Sequence, residues 1–316
     1  MPQGPFGGKP PLGVIYNTSM SRADSALALA ELYGFEGKRE SRMGAVCVVG
    51  AGLGAAIYCD MVGRFYQLGA MRNSNSVLPV GLAAVDPLPA DPAMVGPAVS
   101  RKNEKGEPQY VHSIRKVSDT SQAEAVLRNG VIFNADAVVI LSAPATYLAK
   151  SLDLTGVMDL YKSRVKRLVI VDAGEPQRDV AALRRILDEW PGPVFYCSKA
   201  VGDSVAYPGA SIEKDFEWAP AHPVVDAYRA YRTMPYDAPT YDAAAAHFAV
   251  HPDSGYFQLS EAGRLEVSDS GAVTFVAAAG GKVRSLSVDA GQKEKLLESM
   301  KAMVTAKPVA PQRFRG

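Results

Sequence analysis

The chain has 316 residues, a formal net charge of +1, 47% hydrophobic residues and 21% charged residues. This is the composition of a globular protein with ample core material. The near-zero charge gives no electrostatic basis for nucleic acid or an anionic membrane as partner. No run of about 18 apolar residues occurs, so no membrane span is expected. The cysteines, Cys47, Cys59 and Cys197, cannot all pair and lack metal-ligand spacing, which suits buried reduced thiols. The first residues, MPQGPFGGKPP, lack the apolar stretch of a signal peptide. A chain whose signal had been removed would look the same, so the compartment, cytoplasmic or exported, stays open.

In chain order, a short β-prone run over 14–16 breaks into a polar loop ending in Asp24-Ser25, and a helix is expected over 23–33. Asp24 or Ser25 is expected at the helix N-cap, at the carboxyl edge of a strand, where open α/β sheets bind ligands. A strand over 45–49, a helix over 53–68 and a short strand over 77–80 follow. A Pro-rich loop over 86–97 and a Lys-rich segment over 100–110 read as a surface excursion over the site. Next come a helix over 121–129, a strand over 137–141, a helix over 145–152, a strand over 167–171, a helix over 179–190 and a strand over 194–197. The alternation implies an α/β fold, a mainly parallel sheet flanked by helices. The runs AVCVV, AVVIL and RLVIV are apolar without alternation, as strands buried on both faces should be. Helices over 224–232 and 242–250 precede short alternating segments over 256–259, 264–267, 273–276 and 283–288. These suggest a small antiparallel appendage within 251–290, and a final helix over 292–305 closes one domain spanning 1–316.

Val48-Val49-Gly50-Ala51-Gly52-Leu53-Gly54-Ala55 matches the strand–GxGxxG–helix fingerprint of a dinucleotide site. The acidic residue expected about 20 positions later is missing, since that stretch reads Gly69-Ala70-Met71-Arg72-Asn73-Ser74-Asn75. The unit is also not the first βα unit of the chain. The glycines are therefore read as a tight turn with close packing.

Several segments, taken together and in order, resemble another pattern. The loop Asn17-Thr18-Ser19 followed by Asp24-Ser25-Ala26-Leu27-Ala28-Leu29 is similar to Asp-x-Asp-x-x-x-Asp-Asp followed by Ala-Leu-Ala-Leu, with one extra residue between. AVCVVGAGLG has Gly50-Ala51 where the pattern carries Gly-Asn. VVILSAPATYLAKSL resembles Gly-Pro-Leu-Thr-Asn-Leu-Ala, with Thr146 as Thr and Tyr147 for Asn. RLVIVDAG stands for a strand ending in Met-Gly-Gly, and PTYDAAAAHFAVHP for a His-Asp-Pro helix, with Tyr241 for His and Asp242 for Asp. Together these cover about two-thirds of the chain and resemble the inosine–uridine-preferring nucleoside hydrolase family.

The resemblance implies a site at which calcium is held by the N-terminal aspartates, the Thr carbonyl and the late Asp. Calcium takes 6–8 hard oxygen ligands, there the ribose diol and a water among them. A carboxylate takes that water's proton as it attacks the anomeric carbon. Carried over, Asp24, Thr146 and Asp242 are the metal ligands, and Asp24 is also the general base. Tyr241 stacks on or donates to the leaving group, and Asn17, Ser25, Ala51 and Tyr147 face the substrate. The chain departs from the pattern at Asn17, Ser19 and Ser25, where acids are replaced, and the Asn-x-x-x-Glu-Phe-Asn ribose clamp has no counterpart. With two charged ligands left, any calcium is expected to be weakly held. The resemblance further implies a small-molecule ligand, a nucleoside or sugar derivative, and a homo-oligomer.

Two functions follow as expectations: a hydrolase of N-glycosidic bonds, or a relative that binds a sugar or nucleoside without turnover. Arg22, in the same loop, has two readings. It is either a solvated loop arginine or a guanidinium in the cation position between Asp24 and Asp242. His112, His222, His247 and His251 have no ligand spacing, and His247 is read as packed. Ser142 lacks a GxSxG elbow, which argues against a serine hydrolase. Trp218, Tyr236 and Tyr241 flank a Pro-rich stretch, where they either stack on a base or sugar or simply pack.

Overall fold

The computed structural model describes residues 11–67, 79–83, 85–175 and 179–308. Strand β1 (Leu12–Thr18) leads into helix α1 (Ala23–Gly37), β2 (Ser41–Val48) into α2 (Leu53–Gln67), and β3 (Val80–Leu82) into α3 (Val95–Ser100). Strand β4 (Ser121–Gln122) and α4 (Ala123–Ile132) precede β5 (Ala137–Ser142), α5 (Thr146–Ser151) and α6 (Val157–Arg164). Then come β6 (Val165–Val171), α7 (Val180–Glu189), β7 (Val194–Cys197) and α8 (Lys199–Ser204). A two-stranded ribbon of β8 (Ala206–Tyr207) and β9 (Ala238–Pro239) encloses α9 (Gly209–Lys214) and α10 (Pro223–Tyr231). Helix α11 (Tyr241–Val250), strands β10 (Gln258–Leu259), β11 (Gly263–Val267), β12 (Val273–Ala277) and β13 (Val283–Ser287), and helix α12 (Ala290–Val304) complete the chain.

The main sheet runs β12-β11-β13-β7-β6-β5-β1-β2-β3-β4, parallel from β13 to β4. The mainly parallel sheet flanked by helices is therefore as the alternation implies. The C-terminal strands are antiparallel, as expected, and they continue the sheet: β13 lies parallel beside β7, and β11 and β12 extend the edge. Their alternating pattern reflects an edge covered on one face only. The expected strand over 77–80 appears as β3 from Val80, and residues 77–78 lie outside the described set, as do 69–75.

Alternation along β1 sends Val14 and Tyr16 to the core beneath α1, α2, α10, α11 and α12, and Ile15 to the core beneath α4, α5, α6 and α7. After β1 the chain builds outward through β2, β3 and β4, then returns to place β5, β6 and β7 on the other side. The crevice between the carboxyl ends of β1 and β5 is thus the topological switch point, where such sheets bind ligands. Among the described residues no helix is long and apolar enough to cross a membrane.

Helices α1 and α11 pack against each other, with Asp24 and Ser25 meeting Asp242 and Glu31 meeting His247, and the alanines of both helices are buried. Both helices are apolar nearly all round, as fully interior helices are. Deeper in this contact Glu31 Oε1 and His247 Nδ1 lie 2.6 Å apart, both side chains fully buried. Burial pushes the carboxyl up and the imidazole down to about 3, and His247 is packed inside the contact as the sequence suggests. Gly34 lets the end of α12 approach α1, because a Cβ there would stand 2.2 Å from the Met303 carbonyl oxygen. Gly34→Ala is expected to cost about 1–3 kcal/mol by forcing the helices apart. A urea titration checks this, and an unchanged midpoint would remove the assigned role.

Candidate functional site

The loop after β1 is shaped by backbone strain. Met20 sits at φ 51°, a left-handed conformation uncommon for a side-chain-bearing residue. Thr18 Oγ1 accepts from its amide at 2.9 Å, and its side chain is buried. The loop then enters α1 through Arg22, which occupies the N-cap position without a side-chain cap bond. Asp24 and Ser25, expected at the cap, lie in the first turn instead, because the helix starts one residue before Asp24. Their side chains are thereby free to reach α11.

Asp24 Oδ2 accepts from the Asp242 amide at 2.6 Å, so it caps α11 from another helix. Asp242, fully buried, accepts four bonds. Tyr16 OH (2.5 Å) and Ser25 Oγ (2.7 Å) donate to Oδ2, while Ser142 Oγ (2.5 Å) and Arg22 Nη2 (2.6 Å) donate to Oδ1. Arg22 also donates from Nε to Asp24 Oδ1 at 3.3 Å and from Nη2 to Ser142 Oγ at 3.0 Å. Its guanidinium lies 5.8 Å from the Tyr241 ring centre. Burial opposes the guanidinium's charge, but Asp242 and Asp24 outweigh it and hold its pKa above the ordinary value. Burial, with Asp242 beside it, pushes the Asp24 carboxyl up to about 7 against the pull of Arg22.

This donor set does not fit a calcium ion. All four carboxylate oxygens of Asp24 and Asp242 are engaged by protein donors, and a guanidinium lies between the two groups. Among the described residues no three His, Cys, Asp or Glu side chains gather as a metal site. Thr146, at the start of α5, turns its hydroxyl to Asp179. Of the predicted metal ligands, then, Asp24 and Asp242 come together, while Thr146, predicted to act through its carbonyl, uses its hydroxyl to bond Asp179.

A cavity of about 120 Å³ opens at the switch point, lined by Ser19, Ser21, Arg22, Gly50, Ser142, Ala143, Pro144, Val171, Ala173 and Glu175. Asn17 is buried beside it and donates to the Ile140 carbonyl, and Ala51 is buried next to Gly50. Tyr147 packs in the core of the opposite face, with Lys150 Nζ 4.6 Å from its ring centre. Tyr241 donates to Asp203 Oδ1 at 2.7 Å. None of these four is among the lining residues. Tyr16, Ser142 and Glu175 were not singled out as site residues from the sequence. The position of Ser142 at the end of an apolar strand was the available signal.

The glycine turn is settled by its neighbours. Asp91, from the Pro-rich segment, accepts from the Gly54 and Ala55 amides at 2.9 Å each. Its carboxylate thereby takes the donors that a pyrophosphate would need at this helix start. The segment is pinned to α2 and α10, with Ser113 and Ile114 donating to Asp60, and Arg101 and Tyr110 to Asp226. It adds no residue to the cavity, in contrast to the expected excursion over the site.

No protein-family model matches this sequence, and no curated protein matches it. Solved structures do resemble the fold. A plant nucleoside hydrolase, the PpNRh1 enzyme, aligns over 94% of this chain and 100% of its own, with a TM-score of 0.65 and 17% identity. The inosine–uridine-preferring nucleoside hydrolase of Bacillus anthracis aligns over 92% and 99%, with a TM-score of 0.64 and 14% identity. The type III effector protein XopQ, solved with adenosine diphosphate ribose, aligns over 96% and 94%, with a TM-score of 0.60 and 14% identity. The chain therefore has a nucleoside hydrolase-like fold.

The raised Asp24 pKa has a defined sign. The folded state keeps this proton to about pH 7, whereas an unfolded Asp releases it near pH 4. The folded state thus binds more protons within that window, and this contribution to stability is lost as pH rises from about 4 through 7. Urea midpoints measured across this range are expected to fall more steeply for the wild type than for Asp24→Asn. Parallel profiles would show that Asp24 ionises normally.

Proposed function

We propose that this chain binds a sugar or nucleoside at the switch-point cavity without cleaving its N-glycosidic bond. The observation that carries this reading is the Arg22 guanidinium held between Asp24 and Asp242. With every carboxylate oxygen already accepting, neither group is placed to take a proton from an attacking water. The remaining lining suits a hydroxyl-rich ligand. Ser19, Ser21 and Glu175 offer hydrogen-bonding groups, and Ala143, Pro144 and Val171 offer apolar surface for a ring face. Adenosine diphosphate ribose in the XopQ structure supports a ribose-containing ligand for this fold.

The hydrolytic alternative has one favouring observation. An Asp24 pKa of about 7 suits a proton acceptor near neutrality. One experiment separates the two: inosine, uridine, ribose and adenosine diphosphate ribose are titrated calorimetrically, and base release is followed by absorbance over days. At least one ligand is expected to bind and to raise the melting temperature, with Ala143→Trp weakening it at least tenfold and no base released. Base release abolished by Asp24→Asn would establish the hydrolase. No binding of any of the four would overturn the ligand-pocket reading.

A further inference from the structure

The positive charge between Asp24 and Asp242 is covalently part of the chain. We infer that Arg22 is the resident cation of this site, standing in for a divalent ion, and that shortening Arg22 turns the same oxygens into a divalent-cation site. The inference concerns the cavity of the proposed ligand-binding reading, but it is read out by metal alone and can stand if that reading fails.

Three observations carry it. The guanidinium binds three oxygens from three separate elements: Asp24 Oδ1 on α1 at 3.3 Å, Asp242 Oδ1 on α11 at 2.6 Å, and Ser142 Oγ on β5 at 3.0 Å. Hard oxygens brought together in this way are the donors that calcium selects. Second, the two carboxylates are 2% and 0% exposed, and buried charges persist only when paired. Among the described residues, Arg22 is the cation in ion-pair contact with both. Third, the chain takes a left-handed turn at buried Met20, two residues before Arg22, and Tyr241 lies beside the guanidinium. A solvated loop arginine requires neither.

Arginine suits this post because its planar fork reaches two carboxylates at once and does not lose its proton. A calcium ion arriving at the wild-type site must expel that side chain and bury two like charges more closely. Truncation at Cβ reverses the balance. Two acidic groups lose their countercharge, and the room released adjoins the cavity at Ser19 and Ser21, where water completes the 6–8 ligands.

The test is calorimetric titration of calcium into the full chain as wild type, Arg22→Lys, Arg22→Ala and Arg22→Ala/Asp242→Asn, with melting temperatures in calcium and in chelator. Wild type and Arg22→Lys are expected to take up no calcium at millimolar concentration. Arg22→Ala is expected to bind it at least tenfold more tightly than wild type, to melt higher in calcium, and to lose both properties in the double variant. If Arg22→Ala folds only with calcium present, the same conversion is read as refolding yield. Stoichiometric calcium binding by the wild type, lost in Asp242→Asn, would overturn the inference. So would a folded Arg22→Ala indifferent to calcium, or one that fails to fold even in its presence. Failure of every nucleoside and sugar to bind, with the metal results as expected, would sink the proposed function and leave this inference intact.

Discussion

Asp24 and Asp242 face each other across the first turns of α1 and α11, nearly without solvent, and the middle of the molecule is arranged around neutralising them. Two carboxylates in such a place repel each other and lose their hydration, a cost of several kcal/mol for each ion unless partners replace the water. The partners come from every element around the switch point. β1 supplies Tyr16, the loop after it Arg22, α1 Ser25 and β5 Ser142, while α11 offers the Asp242 amide of its first turn to Asp24. Both acids also lie at helix N-termini, where the backbone dipole favours negative charge. The result is a polar knot at the bottom of a cavity, fully satisfied and therefore rigid.

The knot depends on two helices approaching closely. Both helices are rich in buried alanines, and the first turn of each lies within hydrogen-bond reach of the other. Gly34 permits a close approach further along α1, where α12 closes over it. The buried Glu31–His247 contact ties the same helices further along. Packing and electrostatics thus serve one geometry. The hydrogen-bond and charge network ties the first turns of the two helices together.

This arrangement alters what the fold can do. A carboxylate acts as a general base only if an oxygen faces the substrate's water, and both of these are turned inward to protein donors. The groups left facing the cavity are hydroxyls, one edge of a guanidinium, the Glu175 carboxylate and apolar surface. That set can hold and orient a hydroxylated ring. On the far side of the glycine turn, Asp91 plays a comparable part, its carboxylate filling a helix start that would otherwise attract an anion.

The α/β class, the order of most elements and the edge of the sheet that carries the site were all legible in the residues. Period and apolar runs are local properties, and the ordering of strands and helices leaves few ways to cover both faces of a parallel sheet. Asp24 and Asp242 were also recoverable, since each opens an Ala-rich helix directly after a polar loop. The sequence could not decide where Arg22 points, because a loop arginine next to an aspartate reads alike whether solvated or clamped. That depended on a partner 220 residues away. Tyr16 and Ser142 are similar cases, an ordinary strand tyrosine and an ordinary strand-end serine until α11 brings Asp242 between them. The antiparallel tail likewise read as an appendage, because pairing between β13 and β7 is a long-range hydrogen-bonding fact without a local signature. The sequence by itself determined the class of fold and the place of the pocket, which follow from local periodicity. Only the tertiary structure decided which groups face a ligand and which cancel one another, because buried charge is settled by neighbours distant in the chain.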